Sequence, residues 1–288
     1  MIIAIVGPTG IGKTALSIAL AKHYNAEVIN FDAMQVYEKM DIGTAKVTEE
    51  EMAGVKHHLL SYVKVSDNYS VYDYQQDARR VIDKLLSEKK NIIMVGGTGL
   101  YLKATLYDYR FAKEEANSNY DNLSKEELLE RLSKFDYTSQ DINNRRRLVR
   151  ELVKLENNQE IDTNGDKLFY NAKIIGLTTD RATLYDRINK RVDIMADNGL
   201  VKEVEELKND YETSKALKTA IGYKEFIPYF NKECSLEEVI QKIKQNSRHY
   251  AKRQYTFFKH QLPVTWYESN FADFESTIKS VIKDLGNN

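Results

Sequence analysis

A single cysteine, Cys234, is all the sequence holds. That excludes an intrachain disulfide and a zinc site built on cysteines, and it suits a reducing compartment. No apolar run approaches the roughly 20 residues that a membrane span requires. The first strand-like run begins at Ile2, which leaves no room ahead of it for a signal or transit peptide, so a cytoplasmic protein with no membrane association is expected. A net charge of −1 over 288 residues does not announce a nucleic-acid partner, and charge has to be read locally instead. Internal repeats and low-complexity segments are absent too. What remains has an ordinary globular composition, 42% apolar and 30% charged. It is long enough for one large α/β domain, or for a core with an insertion.

What is present begins with Gly7-Pro8-Thr9-Gly10-Ile11-Gly12-Lys13-Thr14. This fits G-x-x-x-x-G-K-[ST] at every fixed position. The run Ile2-Ile3-Ala4-Ile5-Val6 ahead of it reads as a buried parallel strand, and a helical stretch follows from 14 to about 23. In such a loop the glycines let the backbone turn tightly, so several N–H groups converge on a phosphate oxyanion, and the helix N-terminus adds partial positive charge. Lys13 would reach the terminal phosphate, and Thr14 would hold Mg²⁺ through its hydroxyl. The bland alternative is a glycine-rich turn without a ligand; strand, motif and helix together weigh against it. The loop implies a diphosphate or polyphosphate without saying which.

A second short strand, 26–30, ends at Asp32. A carboxylate just past a strand end beside the loop lies where open parallel sheets put their ligands. From position alone Asp32 is equally a Mg²⁺ ligand, a general base or a solvated loop acid. Residues 40–46 read as an irregular segment turning on Gly43. His57 and His58 are adjacent and so point in different directions, which favours packing or hydrogen bonding over shared metal ligation. Ser70 and Asp73 have capping-box spacing ahead of a helical apolar face that includes Tyr74, Ala78, Ile82 and Leu85. A third buried strand, 91–95, runs into Gly96-Gly97-Thr98-Gly99-Leu100-Tyr101. It lacks the terminal acid with which an NTP-hydrolysing P-loop protein usually holds Mg²⁺. Motor-type ATPases are thereby disfavoured; small-molecule kinases and other transferases stay open.

From 113 to 171 the chain turns polar and helix-prone, with one helix around Leu128, Leu129 and Leu132 and another beginning near 141. In the second, Leu148, Leu152 and Leu155 would face a core while Arg146, Arg147 and Arg150 face outward, as a solvated face or as phosphate contacts. A fourth strand, 173–178, precedes a helix bearing Arg187, Lys190 and Arg191. In P-loop proteins such a helix often delivers cations to the transferred or leaving phosphate. The most lopsided stretch is 241–260, which holds Lys242, Lys244, Arg248, Lys252, Arg253 and Lys259 and no acid. Lys244, Arg248, Lys252, Tyr255 and Lys259 share a helical face. Like charges at that spacing repel, so a polyanionic partner is favoured. A last strand at 264–267 and a terminal helix from about 271 to 285 complete the chain.

Placed in order, these segments resemble the tRNA dimethylallyltransferase (tRNA isopentenyltransferase) family, in its bacterial form, over nearly the whole chain. The matching elements are the loop at 7–14, the segment 32–37, Met-Asp-Ile-Gly-Thr-Ala-Lys at 40–46 and His-His-Leu at 57–59. Further along stand Gly-Gly-Thr-Gly-Leu-Tyr at 96–101, the element at 143–147, Ile-Gly-Tyr-Lys-Glu at 221–225 and Ala-Lys-Arg-Gln at 251–254. Each alone is weak; their order makes the match specific. Three positions depart: Ala33 stands where the family has serine, Asn144 where it has aspartate, and Phe257 where tryptophan is common. None of these removes the loop, Asp32 or Thr98. The lone cysteine agrees with a relative lacking the zinc-finger extension of eukaryotic members.

The resemblance implies an α/β fold, a three-layer parallel-sheet core at 1–112 and 172–288 with a mostly helical insertion at 113–171 that contacts tRNA. It implies transfer of a dimethylallyl group from dimethylallyl diphosphate to the exocyclic amine of the adenine 3′-adjacent to the tRNA anticodon, by a monomer. The diphosphate is expected on the loop, Lys13 and Arg187, with Mg²⁺ at Thr14. Asp32 is the expected base, and Thr98 would orient the amine or a diphosphate oxygen. On the tRNA side the expected residues are Asp32, Ala33, Met34 and Gln35; Arg146, Arg147 and Arg150; Gly222, Tyr223 and Lys224; and Arg248, Lys252, Arg253 and Gln254. The target base is expected to flip from its stack, and the anticodon stem-loop to be read by shape and unstacked bases. A small-molecule kinase would share the loop and the arginine helix but leaves the cationic face at 241–260 unexplained. A noncatalytic RNA-binding module leaves Lys13, Thr14 and Asp32 without purpose.

Overall fold

Short apolar runs alternating with helical stretches produce a sheet whose central strands are buried on both faces, with the edge strands more exposed. The computed structural model describes residues 1–111, 120, 122–139, 142–157, 165 and 167–286. In chain order, β1 (Ile2–Val6) leads to α1 (Lys13–Tyr24), β2 (Ala26–Asn30), α2 (Glu49–Met52) and β3 (His57–His58). Then follow α3 (Val71–Ser87), β4 (Asn91–Val95), α4 (Gly99–Leu106), α5 (Lys125–Ser133) and α6 (Arg145–Glu156). After β5 (Ala172–Thr178) come α7 (Arg181–Asp197), α8 (Leu200–Glu206), α9 (Lys215–Thr219) and α10 (Ile227–Phe230). The long α11 (Leu236–Gln261), β6 (Thr265–Glu268) and α12 (Phe274–Gly286) finish the chain.

The strands pair in the order β3-β2-β4-β1-β5-β6, parallel throughout. The register sets Ile3 opposite Ile93 and Ala4 opposite Ile174. All five residues of β1 are buried, which is why that strand reads as an unbroken apolar run. Ile3 and Ile5 share a core cluster with Leu16 and Leu20 of α1 and Val281 of α12. Each such side chain contributes about 1.5–3 kcal/mol on burial. The predicted capping box starts α3: the Ser70 side chain accepts from the Asp73 N–H while the Asp73 carboxylate accepts from the Ser70 N–H.

The chain divides into two compact units, Met1–Leu106 with Tyr170–Asn288, and Tyr107–Phe169. The first carries the sheet. In the second, Leu128 and Leu132 of α5 and Leu148 and Leu152 of α6 are buried together with Tyr120. Its two ends are tied by a bridge between Tyr107 and Leu168 and by a hydrogen bond of 3.0 Å from the Asp108 N–H to the Lys167 carbonyl. The borders at 107 and 169 lie a few residues from those that composition suggests. Composition marks where apolar runs stop, whereas the fold divides where backbone pairing begins.

The histidine pair is explained by packing. His58 Nε2 lies 2.6 Å from the Glu27 carboxylate, joined there by Lys56 at 3.3 Å and by Lys90. His57 Nδ1 donates to the Val55 carbonyl at 2.8 Å. Burial alone would raise the Glu27 carboxyl, but hydrogen bonds from Lys90, His58 and Lys56 outweigh it and hold it down to about 2. A carboxyl depressed in the fold stabilises it above the unfolded value of 4.5, and that contribution is lost as pH falls through about 2. Glu27→Gln is therefore expected to cost about 1–3 kcal/mol at neutral pH, because it leaves Lys56 and Lys90 facing an uncharged group and weakens the bond to the His58 ring. Thermal melts should also show a shallower loss of stability over the window from 4.5 to about 2 than in the parent chain.

Candidate active site

A parallel sheet delivers every strand's C-terminal end to one edge, and loops leaving that edge can be brought together. Three meet here: 7–12 after β1, 31–37 after β2 and 96–98 after β4. The Thr98 N–H donates to the Phe31 carbonyl at 3.3 Å, and Thr98 Oγ1 accepts from the Ala33 N–H at 2.9 Å. Asp32, half-buried, accepts from the Met34 N–H at 2.9 Å, and its own N–H donates to Asn30 Oδ1 at 3.1 Å. A side chain on Gly97 would overlap the Gln254 amide and come within 3.1 Å of Asp32 Oδ2. Only glycine lets the β4 edge approach so closely.

The phosphate loop has Gly7, Gly10 and Gly12 at φ of 142°, 80° and 98°. Gly12 is the residue from which α1 starts, with no side-chain cap, so the helix N-terminus is left open toward the loop. Lys13 Nζ donates across the loop to the Pro8 carbonyl at 2.8 Å. From α7, Arg187 Nε donates to the Gly10 carbonyl at 3.0 Å, and its guanidinium lies 3.7 Å over the Phe271 ring. One turn on, Arg191 donates to Thr9 Oγ1 at 3.0 Å and to the Ala45 carbonyl at 3.4 Å. Ser269 Oγ donates to the Ile11 carbonyl at 3.2 Å. Thr14 is exposed at the first turn of α1.

These cations sit close together and partly out of water. Burial, then the nearby Arg191, lower the Lys13 ammonium to about 7, with Asp32 opposing them. Burial lowers Arg191 as well, and Asp32 again acts in the opposite sense. The arrangement stores unfavourable positive charge that an anion would relieve.

α11 divides its residues between two roles. Lys252 and Arg253 are exposed, and Arg253 lies 5.6 Å over the Tyr250 ring. Lys244 pairs with Asp193, and Arg248 donates to Asn189 at 2.6 Å, so α7 already engages part of the cationic stripe. Gln254 points inward and is 5% exposed. It accepts from the Thr9 N–H and donates to the Gly97 carbonyl, both at 2.9 Å. Gln35 donates to the carbonyls of Thr44 and Ala45 at 3.1 and 3.3 Å. Met34 is half-buried beside it in sequence.

Several expected tRNA contacts have partners within the chain. Tyr223 is fully buried and donates to Glu203 at 2.6 Å, while the buried Gly222 N–H donates to Glu225 at 2.8 Å; Lys224 is half-buried. In the second unit, Arg147 donates to the nearly buried Glu151 at 2.9 Å, and Arg150 is exposed. The side chain of Arg146 lies outside the described residues. Asn144 accepts from the Arg147 N–H at 3.2 Å as the cap of α6, work that an aspartate would also do.

Two residues stand out that sequence reading did not commit to. Arg191 reaches the phosphate loop as Arg187 does, and its i+4 spacing from Arg187 was the available signal. Glu203 accepts the N–H groups of Asp41, Ile42 and Gly43 at 3.0, 2.7 and 3.0 Å, pinning the segment behind Gln35. Three of its partners are backbone groups, which carry no sequence signature, and the fourth is the buried Tyr223 hydroxyl.

Among the described residues no group of three or more His, Cys, Asp or Glu could hold a metal ion. No helix among them is long and apolar enough to cross a membrane.

Comparison with known proteins identifies the family. A family model described as IPP transferase matches residues 35–261. The tRNA dimethylallyltransferase of Macrococcus caseolyticus is 43% identical, with 100% of this chain and 95% of that one covered. Among solved structures, the tRNA isopentenylpyrophosphate transferase of Bacillus halodurans is 39% identical with a TM-score of 0.78, covering 99% of this chain and 95% of that one. A eukaryotic dimethylallyltransferase, described as acting on tRNA, is 26% identical with a TM-score of 0.82, covering 99% and 78%.

Proposed function

The chain belongs to the IPP transferase family, and on that premise we propose how its residues carry out the transfer. The reaction moves a dimethylallyl group from dimethylallyl diphosphate to the exocyclic amine of the adenine 3′-adjacent to the tRNA anticodon. The products are N6-dimethylallyladenosine and diphosphate. The observation that carries the assignment of roles is the meeting of Lys13, Arg187 and Arg191 at the phosphate loop with Asp32 at the neighbouring strand end.

An allylic diphosphate ionises readily once its leaving group is stabilised. Loop N–H groups, Lys13 and Arg191 take up the negative charge that grows on the diphosphate, in a site already organised for it. Arg187 braces the Gly10 carbonyl and adds its charge from the same helix face. The loop therefore holds a leaving group, with no nucleotide hydrolysed. The Thr14 hydroxyl, exposed at the first turn of α1, would help hold a Mg²⁺ brought in with the diphosphate, and the ion would supply further charge neutralisation.

The adenine amine is a poor nucleophile, because its lone pair is delocalised into the ring. Its proton becomes acidic as the carbon–nitrogen bond forms, and Asp32 accepts it. Thr98, hydrogen-bonded to the backbone one residue past Asp32, fixes the geometry of that acceptor. The exposed Lys252 and Arg253 of α11 grip phosphates of the anticodon stem-loop, and in the second unit the exposed Arg150 is a separate contact of the same kind. A tRNA substrate is consistent with work in the cytoplasm.

Incubation with labelled dimethylallyl diphosphate, Mg²⁺ and unmodified tRNA, followed by digestion, is expected to give labelled N6-dimethylallyladenosine and free diphosphate. Formation of ADP and a phosphorylated metabolite, with no label in RNA, would sink the assignment and leave only the loop correctly read.

A further inference from the structure

We propose that Gln254 is a positioning residue for the transfer: one buried amide ties the phosphate loop to the β4 edge and so sets where Asp32 stands relative to Lys13. This rests on the site assignment above and deepens it. Family resemblance puts Gln254 on tRNA, yet both ends of its amide are used within the chain, on the Thr9 N–H and the Gly97 carbonyl, each at 2.9 Å. Those backbone groups belong to the two loops that flank the reacting centre. Gly97 is crowded on one side by this amide and by Asp32 Oδ2 together. Tyr250, one turn earlier on α11, directs its hydroxyl to the same Gly97 carbonyl at 3.4 Å.

The Thr9 N–H is one of the loop donors that would otherwise turn toward a phosphate. With Gln254 occupying it, the loop is held in shape before any ligand arrives, which is preorganisation in the sense that matters for rate. A glutamine amide suits the task because it offers an acceptor and a donor at fixed separation. Lys252 and Arg253, beside it in sequence, are exposed. The same turn of a 26-residue helix therefore carries outward cations and an inward strut.

The test compares the full-length chain with Gln254→Leu, which keeps the bulk and loses both bonds. Under single-turnover conditions with saturating tRNA and donor, the rate constant is expected to fall about 10–100-fold. The amplitude of product formed, the tRNA Kd and its salt dependence should stay as in the parent. A role confined to folding would instead reduce the amplitude and leave the rate constant unchanged. Should Gln254→Leu fail to fold, Gln254→Met, an unbranched side chain that adapts to the same space and also lacks both bonds, is read the same way, with a fall in the rate constant of the same order. A weakened tRNA Kd with an unchanged rate constant would make Gln254 an RNA contact and overturn the proposal, as would no change in either quantity. If Asp32→Asn proved fully active, the base assignment would fall, while a loss of rate in Gln254→Leu would still show the loops to be positioned by this amide.

Discussion

Asp32→Asn is expected to slow transfer by about 10²–10⁴, the usual contribution of a positioned general base. The substitution keeps the shape and keeps an oxygen that accepts the Met34 N–H, so the turn after β2 should survive. What it removes is the group able to take the amine proton while the carbon–nitrogen bond forms. Diphosphate affinity should change little well below pH 7, where Lys13 is charged in both proteins; closer to about 7 and above it, the missing carboxylate also withdraws support from the Lys13 ammonium. Single-turnover kinetics with saturating tRNA, together with donor binding measured well below that pH, separate the two effects. Wild-type rates from Asp32→Asn would remove Asp32 as base and leave it a structural acid of the turn.

The role of Asp32 was left open among three readings by its position in sequence, and the structure adds its surroundings. It stands against Gly97, beside Thr98 and near the charge of Lys13. Five of the sheet's six strands were legible, most plainly β1, an unbroken apolar run buried on both faces; the two-residue β3, His57–His58, was not, being too short and too polar to leave a pattern. The loop was legible because its motif encodes its own backbone geometry. Other residues were harder to place for a physical reason. A motif carried over from a family says that a residue matters without saying which way it faces. Tyr223 and Gln254 both belong to such motifs, and both are buried with internal partners. Arg147 had the charge of an RNA contact, yet it pairs with an acid four residues on that is itself nearly buried. The cationic stripe of α11 was read as needing an external polyanion, but Asp193 of α7 already meets Lys244. Periodicity along one helix cannot reveal a partner on another.

Lys13→Met is expected to lower kcat/KM by about 10²–10³, the scale of losing one preorganised donor to a developing oxyanion. The more telling signature is in pH. Burial and the neighbouring Arg191 hold the free ammonium down to about 7. A bound diphosphate favours the charged form and raises that value again. Below the free value Lys13 is charged with or without ligand, and its contribution to binding is constant. Above it, binding must take up a proton, so affinity should fall by up to tenfold per pH unit until the bound-state value is passed. Calorimetry in buffers of different ionisation enthalpy reads that proton directly, from one unit below about 7 to two above. Lys13→Met should abolish the uptake, and ionisation of the diphosphate itself, common to both proteins, cancels in the comparison. Lys13→Arg should also lack it, since a guanidinium stays protonated, while recovering part of the affinity. Equal proton uptake by the parent chain and Lys13→Met would place Lys13 away from the diphosphate and leave Arg191 as the cation that receives it.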